Sequence, residues 1–189
     1  RRTGAGTTHL TGPSPFGSYY HDDRTELIYL ASELAAAGVV AQSTFTRIAF
    51  HVTTGQLTLP LGSFSVTLAH TADAAALTSR SPALSSATTV YTSSGEKVYP
   101  GWKEFWLTTP FVWDGESNVV VKVCFDGNAY THDASVTYTE TSDYTVFSSY
   151  YDDQVSGICT LETLTGRRYK SRANLRIHFF APPPPPRAE

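Results

Sequence analysis

Methionine is missing from all 189 residues, cysteine occurs only twice, and charged residues make up 16% of the chain, well below the usual quarter. Each absence excludes something. No apolar run approaches the roughly 18–20 residues needed to span a bilayer, so membrane insertion is not expected. With a net charge of −3 and a pI near 6.1, there is no basic stripe to neutralise phosphates, which argues against a nucleic-acid partner. The one basic cluster, Arg167, Arg168, Lys170, Arg172 and Arg176, is short and interleaved with strand-like residues; it reads as a solvated hairpin. A chain opening RRTGAGTT shows neither a signal peptide nor a translation start, and so reads as a processed or excised piece.

Catalytic motifs are equally scarce. The six histidines have no H-x-x-x-H or H-E-x-x-H spacing for zinc. There is no G-x-S-x-G elbow and no glycine-rich phosphate loop before a helix. His21 beside Asp22 and Asp23 is the best local cluster, and polar residues of a surface loop account for it. An enzyme is therefore not expected.

What is present is β-forming material. Hydrophobic residues reach 41% and aromatics 13%, enough for a packed core. Serine and threonine fill about a quarter of all positions in place of charges, and Thr also favours strands. Alternation predicts strands at 25–31, 45–52, 64–69, 88–92, 103–107, 118–125, 135–139, 144–149 and 174–180. Turn signals such as Pro60-Leu61-Gly62, Asp114-Gly115 and Thr165-Gly166 punctuate them at sandwich spacing. Residues 72–86, small and polar, read as a long surface connection. Ser32-Glu33-Leu34-Ala35-Ala36-Ala37-Gly38 has a serine N-cap and a terminal glycine, so it predicts one short helix. The expected fold is an all-β antiparallel sandwich, jelly-roll-like, with one short helix.

Three segments are expected: an N-terminal arm or edge strand at 1–15, the sandwich at 16–180, and a proline-rich tail or linker at 181–189. Five consecutive prolines, Pro182, Pro183, Pro184, Pro185 and Pro186, form an extended rod. Cys124 lies in a strand and Cys159 follows about 35 residues later. One structural disulfide is the leading reading, contributing about 3–4 kcal/mol in the chain-entropy model; two buried thiols or a redox pair are the alternatives, although C-x-x-C spacing is lacking.

The phrases FGSYYHDDRTELIYLASELAAAGV, TRIAFHVTTG, WKEFWLTTPFVWDGESNVVVKVCFDG, SGIC and RANLRIHFF together resemble a β-sandwich module of large secreted and cell-surface proteins of Bacteroidota and related bacteria. The resemblance covers about residues 16–180 and is most specific over Trp102–Asp126. Ala173 departs from the pattern, which usually has proline there. The resemblance implies an extracellular or cell-surface location and a module without catalysis. It carries over no site residues.

Two ligand chemistries remain. Aromatics at Trp106, Tyr150 and Tyr151, with Tyr19, Tyr20 and Trp102 nearby in kind, suit a sugar-stacking platform with Asp and Asn fixing hydroxyls. Asp22, Asp23, Asp152 and Asp153 are the calcium candidates, but no EF-hand pattern surrounds them, and turn formation explains them as well; no other cofactor is expected. The leading expectation is a structural or adhesive module, in one version a subunit of a cell-surface filament. There Thr8 and Leu10 of the arm, or the proline rod, would contact another copy or another surface protein. The alternative is a carbohydrate-binding module of a secreted hydrolase, its partner a polysaccharide.

Overall fold

The computed structural model describes residues 2–3, 8–9, 13–55, 59–76, 82–127, 133–152, 157–161 and 164–183. Leu10, Asp153, Pro184, Pro185 and Pro186, named above, lie outside the described residues. The architecture is two antiparallel sheets packed face to face, with one short helix.

The strands are β1 (Arg2–Thr3), β2 (Thr8–His9), β3 (Asp22–Tyr29), β4 (Thr44–Thr54), β5 (Leu61–Thr71), β6 (Ser85–Glu96), β7 (Gly101–Val112), β8 (Asn118–Asp126), β9 (Ser135–Glu140), β10 (Val146–Tyr151), β11 (Arg167–Tyr169), β12 (Ser171–Ala173) and β13 (Leu175–Phe180). One sheet runs β11-β10-β3-β8-β5-β6; the other runs β1-β13-β4-β9-β12, with β7 on β4 and β2 on β9. Chain neighbours such as β3 and β4, or β8 and β9, lie in opposite sheets, which is the winding of a jelly roll.

The core lies between the sheets. Leu27, Tyr29, Val66, Val119, Val121 and Val123 from one sheet meet Ile48, Phe50, Phe105 and Ile177 from the other, all buried. Phe16, ahead of β3, inserts among Phe50, Phe64 and Phe105 with ring centroids 5.9, 6.4 and 6.2 Å away. Trp113 is also buried, its indole donating to the Ser117 carbonyl at 2.8 Å. In β4 strict alternation would place Phe45 opposite Ile48 and Phe50. A bulge leaves Thr46 as one extra residue against β13, where Phe45 and Arg47 pair with the consecutive Phe179 and His178, and Phe45 returns to the core side with them.

Four expectations are corrected. The helix, α1, spans Ala31–Ala36 with Leu30, not Ser32, at its N-cap. Glu33 and Asn118 do the capping: their side-chain oxygens accept the Leu30 and Ala31 amides at 2.9 and 2.8 Å, leaving Ser32 exposed as the second helical residue. Gly38 follows at φ 82°, as a terminal glycine should. Second, β3 is buried along its whole length, polar residues included. Third, the 72–86 connection is not all surface: Ala76 is buried beside Cys124, and β6 begins already at Ser85. Fourth, the basic cluster is no solvated hairpin. Arg172 is 2% exposed, its guanidinium donating to both Glu33 carboxylate oxygens and the Ile28 carbonyl while covering the Tyr29 ring.

Cys124 and Cys159 form a disulfide. Its effect is to fasten the β10–β11 connection over the outer face of the β3–β8–β10 sheet. Ile158 and Leu164 of that connection pack on Cys124 and Phe147. Beneath them lie charged groups: Arg24 pairs with Glu26 and donates to the Leu161 carbonyl at 2.5 Å, and Lys122 donates to the Cys159 carbonyl at 3.2 Å. Burial and then the nearby Arg24 charge push the Lys122 pKa down. No helix among the described residues is long and apolar enough to cross a membrane.

Candidate functional site

The inner face of the β10–β3–β8 sheet changes character at one end. Along β3 the core side passes from Tyr29 and Leu27 to Thr25 and Asp23, and along β10 from Val146 to Ser148 and Tyr150. Where the apolar face runs out, the sandwich opens into a cavity of about 190 Å³. Antiparallel pairing sets Tyr150 opposite Asp23 and Tyr151 opposite Asp22. Two similar segments, Tyr-Tyr-His-Asp-Asp at 19–23 and Ser-Ser-Tyr-Tyr-Asp at 148–152, are thereby brought to one place.

Rings and carboxylates converge there. Tyr20 stacks on Tyr150 with centroids 4.3 Å apart and planes 12° from parallel; Tyr19 meets Tyr20 edge-on and is 61% exposed. Tyr169 of β11 closes the wall. Its phenol pKa is raised by burial, then by the neighbouring Tyr150 and Asp23. Asp133 enters from the β8–β9 connection, where its Oδ1 accepts the Tyr19 amide at 2.8 Å. Asp23 is buried at the floor, its Oδ1 accepting the Thr25 hydroxyl at 2.7 Å. Burial raises its pKa well above the usual carboxylate range; the Thr25 hydrogen bond opposes this, and Asp133 adds to it.

Gly17 sits at the mouth for a steric reason. A Cβ built there would stand 3.3 Å from the Ser14 carbonyl, 3.7 Å from Asp23 Oδ2 and 3.8 Å from Asp133 Oδ1, so a side chain would project among these oxygens. A second cavity of about 320 Å³ lies on the other side of Tyr150, where Thr165, Gly166 and Arg167 flank Tyr151.

The anticipated site residues fall in different places. Tyr150 and Tyr151 border these adjoining cavities, but Trp106 belongs to the opposite sheet, where it is 65% exposed on β7, so the three do not form one platform. On that outer face Arg47 lies 4.4 Å over the Trp106 ring and Arg176 lies 3.6 Å over Trp102. Arg47 also bonds Glu104 at 2.7 Å and His178 Nδ1 at 2.9 Å. Burial and then Arg47 lower the His178 pKa, fitting a neutral imidazole that accepts from the guanidinium.

Among the calcium candidates, Asp22 and Asp23 leave β3 on opposite faces. Asp22 Oδ1 accepts the Gly127 amide at 3.1 Å, and Asp152 is exposed beyond β10. Among the described residues, no three His, Cys, Asp or Glu side chains gather where they would hold a metal ion. Of the assembly candidates, Thr8 pairs with Tyr138 of the chain's own β9, while Pro182 and Pro183 are exposed beyond β13.

Ser148 and Tyr169 were not anticipated as site residues. The available signal was the pair of Tyr-Tyr segments, each followed by aspartate and strand-like in pattern, which become neighbours once paired antiparallel. Asp133 carried no such signal, because its place depends on how the β8–β9 connection returns to the arm side. The chain was compared with known protein families, curated proteins and solved structures, and it matches none of them.

Proposed function

We propose that this chain is an extracellular, non-enzymatic adhesive module that binds a glycan in the tyrosine-walled cavity at the end of its sandwich. The observation that carries the reading is the convergence of Tyr19, Tyr20, Tyr150 and Tyr169 with Asp23, Asp133 and Ser148 around one opening. Aromatic walls supply apolar contact for a pyranose ring, while carboxylates and a hydroxyl accept and orient its hydroxyl groups. The disulfide fits an oxidising, extracellular compartment, in line with the resemblance to secreted and surface modules over residues 16–180.

A second reading, the subunit of a surface filament, draws support from the arm strands and from Phe180, 71% exposed ahead of the proline tail. Pairing of the arm within its own sheet favours the glycan reading, since assembly through the arm first requires its release. The test is a glycan array on the whole chain, repeated with Tyr150→Ala. Glycan signals that vanish with the substitution support the reading. An array without hits, on material shown to be folded by near-UV circular dichroism, removes it.

A further inference from the structure

We propose that the glycan held in this cavity carries a free, protonated amino group, seated as an ammonium between Asp23 and Asp133. The proposal rests on the glycan reading and narrows its ligand class.

The cavity is acidic. Its lining presents phenol rings, hydroxyls and two carboxylates and, among the described residues, no Lys, Arg or His. The Asp23 side chain is only 5% exposed. One of its oxygens is held by Thr25, whereas Oδ2 accepts no hydrogen bond among the described residues. That oxygen, Asp133 Oδ1 and the Ser14 carbonyl surround the space Gly17 leaves open, at 3.7, 3.8 and 3.3 Å from its missing Cβ. A buried carboxylate with an unused oxygen, facing a second carboxylate, is an acceptor set short of a positive charge.

An ammonium supplies what the site wants. It brings three donors and a charge, where a sugar hydroxyl brings one neutral donor. Tyrosine rings around it add cation–π attraction, while the pyranose that bears it matches the remaining volume. A calcium ion matches less well: it needs six to eight oxygens at close range, and rings form much of this wall.

Binding is then linked to the protonation of Asp23. The groups facing it are Thr25 on its own strand, Asp133 from the β8–β9 connection, Ser14 and Gly17 from the N-terminal turn, Ser148 and Tyr150 from β10, and Tyr169 from β11. Arg167, which lines the second cavity, reaches this one through the Tyr169 phenol, where it opposes the pKa rise that burial causes. Protonating Asp23 removes the charge that the ammonium meets, so affinity falls as pH drops through the raised Asp23 range while the amine stays protonated.

Isothermal titration of the whole chain with short glucosamine oligomers, their N-acetylated counterparts and glucose oligomers tests this. The free amine is expected to bind at least about tenfold more tightly than the other two. Asp133→Asn, at an exposed position, and Asp23→Asn, a near-isosteric change in the floor, should each erode that preference about tenfold while near-UV circular dichroism stays unchanged. Equal affinity for all three sugars overturns the amine proposal and leaves the glycan reading standing. Failure of every sugar removes both. Tighter binding of a lysine-rich peptide, or calcium binding that blocks the sugars, also overturns the proposal.

Discussion

Asp23 illustrates how a single residue records a conflict between folding and binding. Its carboxyl is more basic in the fold than in the unfolded chain, from burial first and then from Asp133. Between the unfolded value and the raised one, the folded state therefore holds more protons, so stability falls as pH rises through that window and then levels. Asp23→Asn removes the buried charge. It is expected to raise stability at pH 7 by about 1 kcal/mol, with the advantage shrinking toward pH 4. Denaturant midpoints for the two proteins across that range check it, and a variant less stable than wild type at neutral pH would contradict it. Arg172 is the opposite case, a buried charge whose two terminal nitrogens are met by a carboxylate and a carbonyl, with Nε the one nitrogen left without a partner among the described residues. Arg172→Met removes the guanidinium from the Ile28 carbonyl and from Glu33, which keeps only the Leu30 amide, and should cost about 3 kcal/mol, read as a lower urea midpoint at unchanged m-value. Neither role was legible from composition. Asp22-Asp23 looked like a turn and Arg172 like part of a solvated run, because burial of a polar strand residue depends on which strands flank it. The face of Leu27 and Tyr29, by contrast, was plain from alternation.

At the level of elements, the β10–β11 connection shows how a sheet with two covered faces is made from a chain with almost no helix. The inner face of β3, β8 and β10 packs on the other sheet, and the outer face is closed by residues 157–161 and 164–166, pinned through Cys159. Arg24 and Lys122 beneath it are held by carbonyls of that connection, so the cover and the buried charges stabilise each other. Replacing both cysteines by serine should cost about 3–4 kcal/mol for a 35-residue separation. It should also open the cover to protease near Arg167 before the sandwich unfolds. Cleavage no faster than in the wild type, under conditions where both are folded, would show that packing alone holds the cover down. The main strands, the Asp114-Gly115 turn and the cysteine pair were readable in advance because period-two patterning and turn residues are local, although Leu61 and Gly62, read as a turn with Pro60, already pair with Glu96 and Gly95 in β5 and β6. The cover was not, since nothing local says which face an irregular segment will lie on. Gly166 marks it only in retrospect: a Cβ there would stand 2.5 Å from the Ser148 carbonyl and 2.6 Å from the Phe147 ring.

For the whole molecule, the arm decides whether the sandwich is closed or open to its neighbours. Arg2–Thr3 pairs with Leu175 and Arg176 of β13, and Thr8–His9 pairs with Thr137 and Tyr138 of β9. The first covers β13 on the side away from β4, which is a sheet edge, whereas the second is a short addition to β9, a strand that β4 and β12 already flank. Such an edge is a template for another chain, and the arm that satisfies it in the same molecule has the composition to satisfy it in a second one. Deleting residues 1–12 should therefore produce two effects together: a modest loss of stability, about 1–2 kcal/mol for a handful of edge hydrogen bonds, and concentration-dependent self-association. Adding a synthetic peptide of residues 1–12 should reverse the association by reoccupying the edge. Light scattering on the truncated chain, with and without the peptide, reads both. A truncated protein that stays monomeric at high concentration would mean that the remaining edge is protected by other features, and the filament reading would lose its mechanism. Association reversed by the peptide would make the arm an exchangeable strand, leaving the glycan cavity, built from Asp23, Asp133 and the tyrosines, free to act in either state.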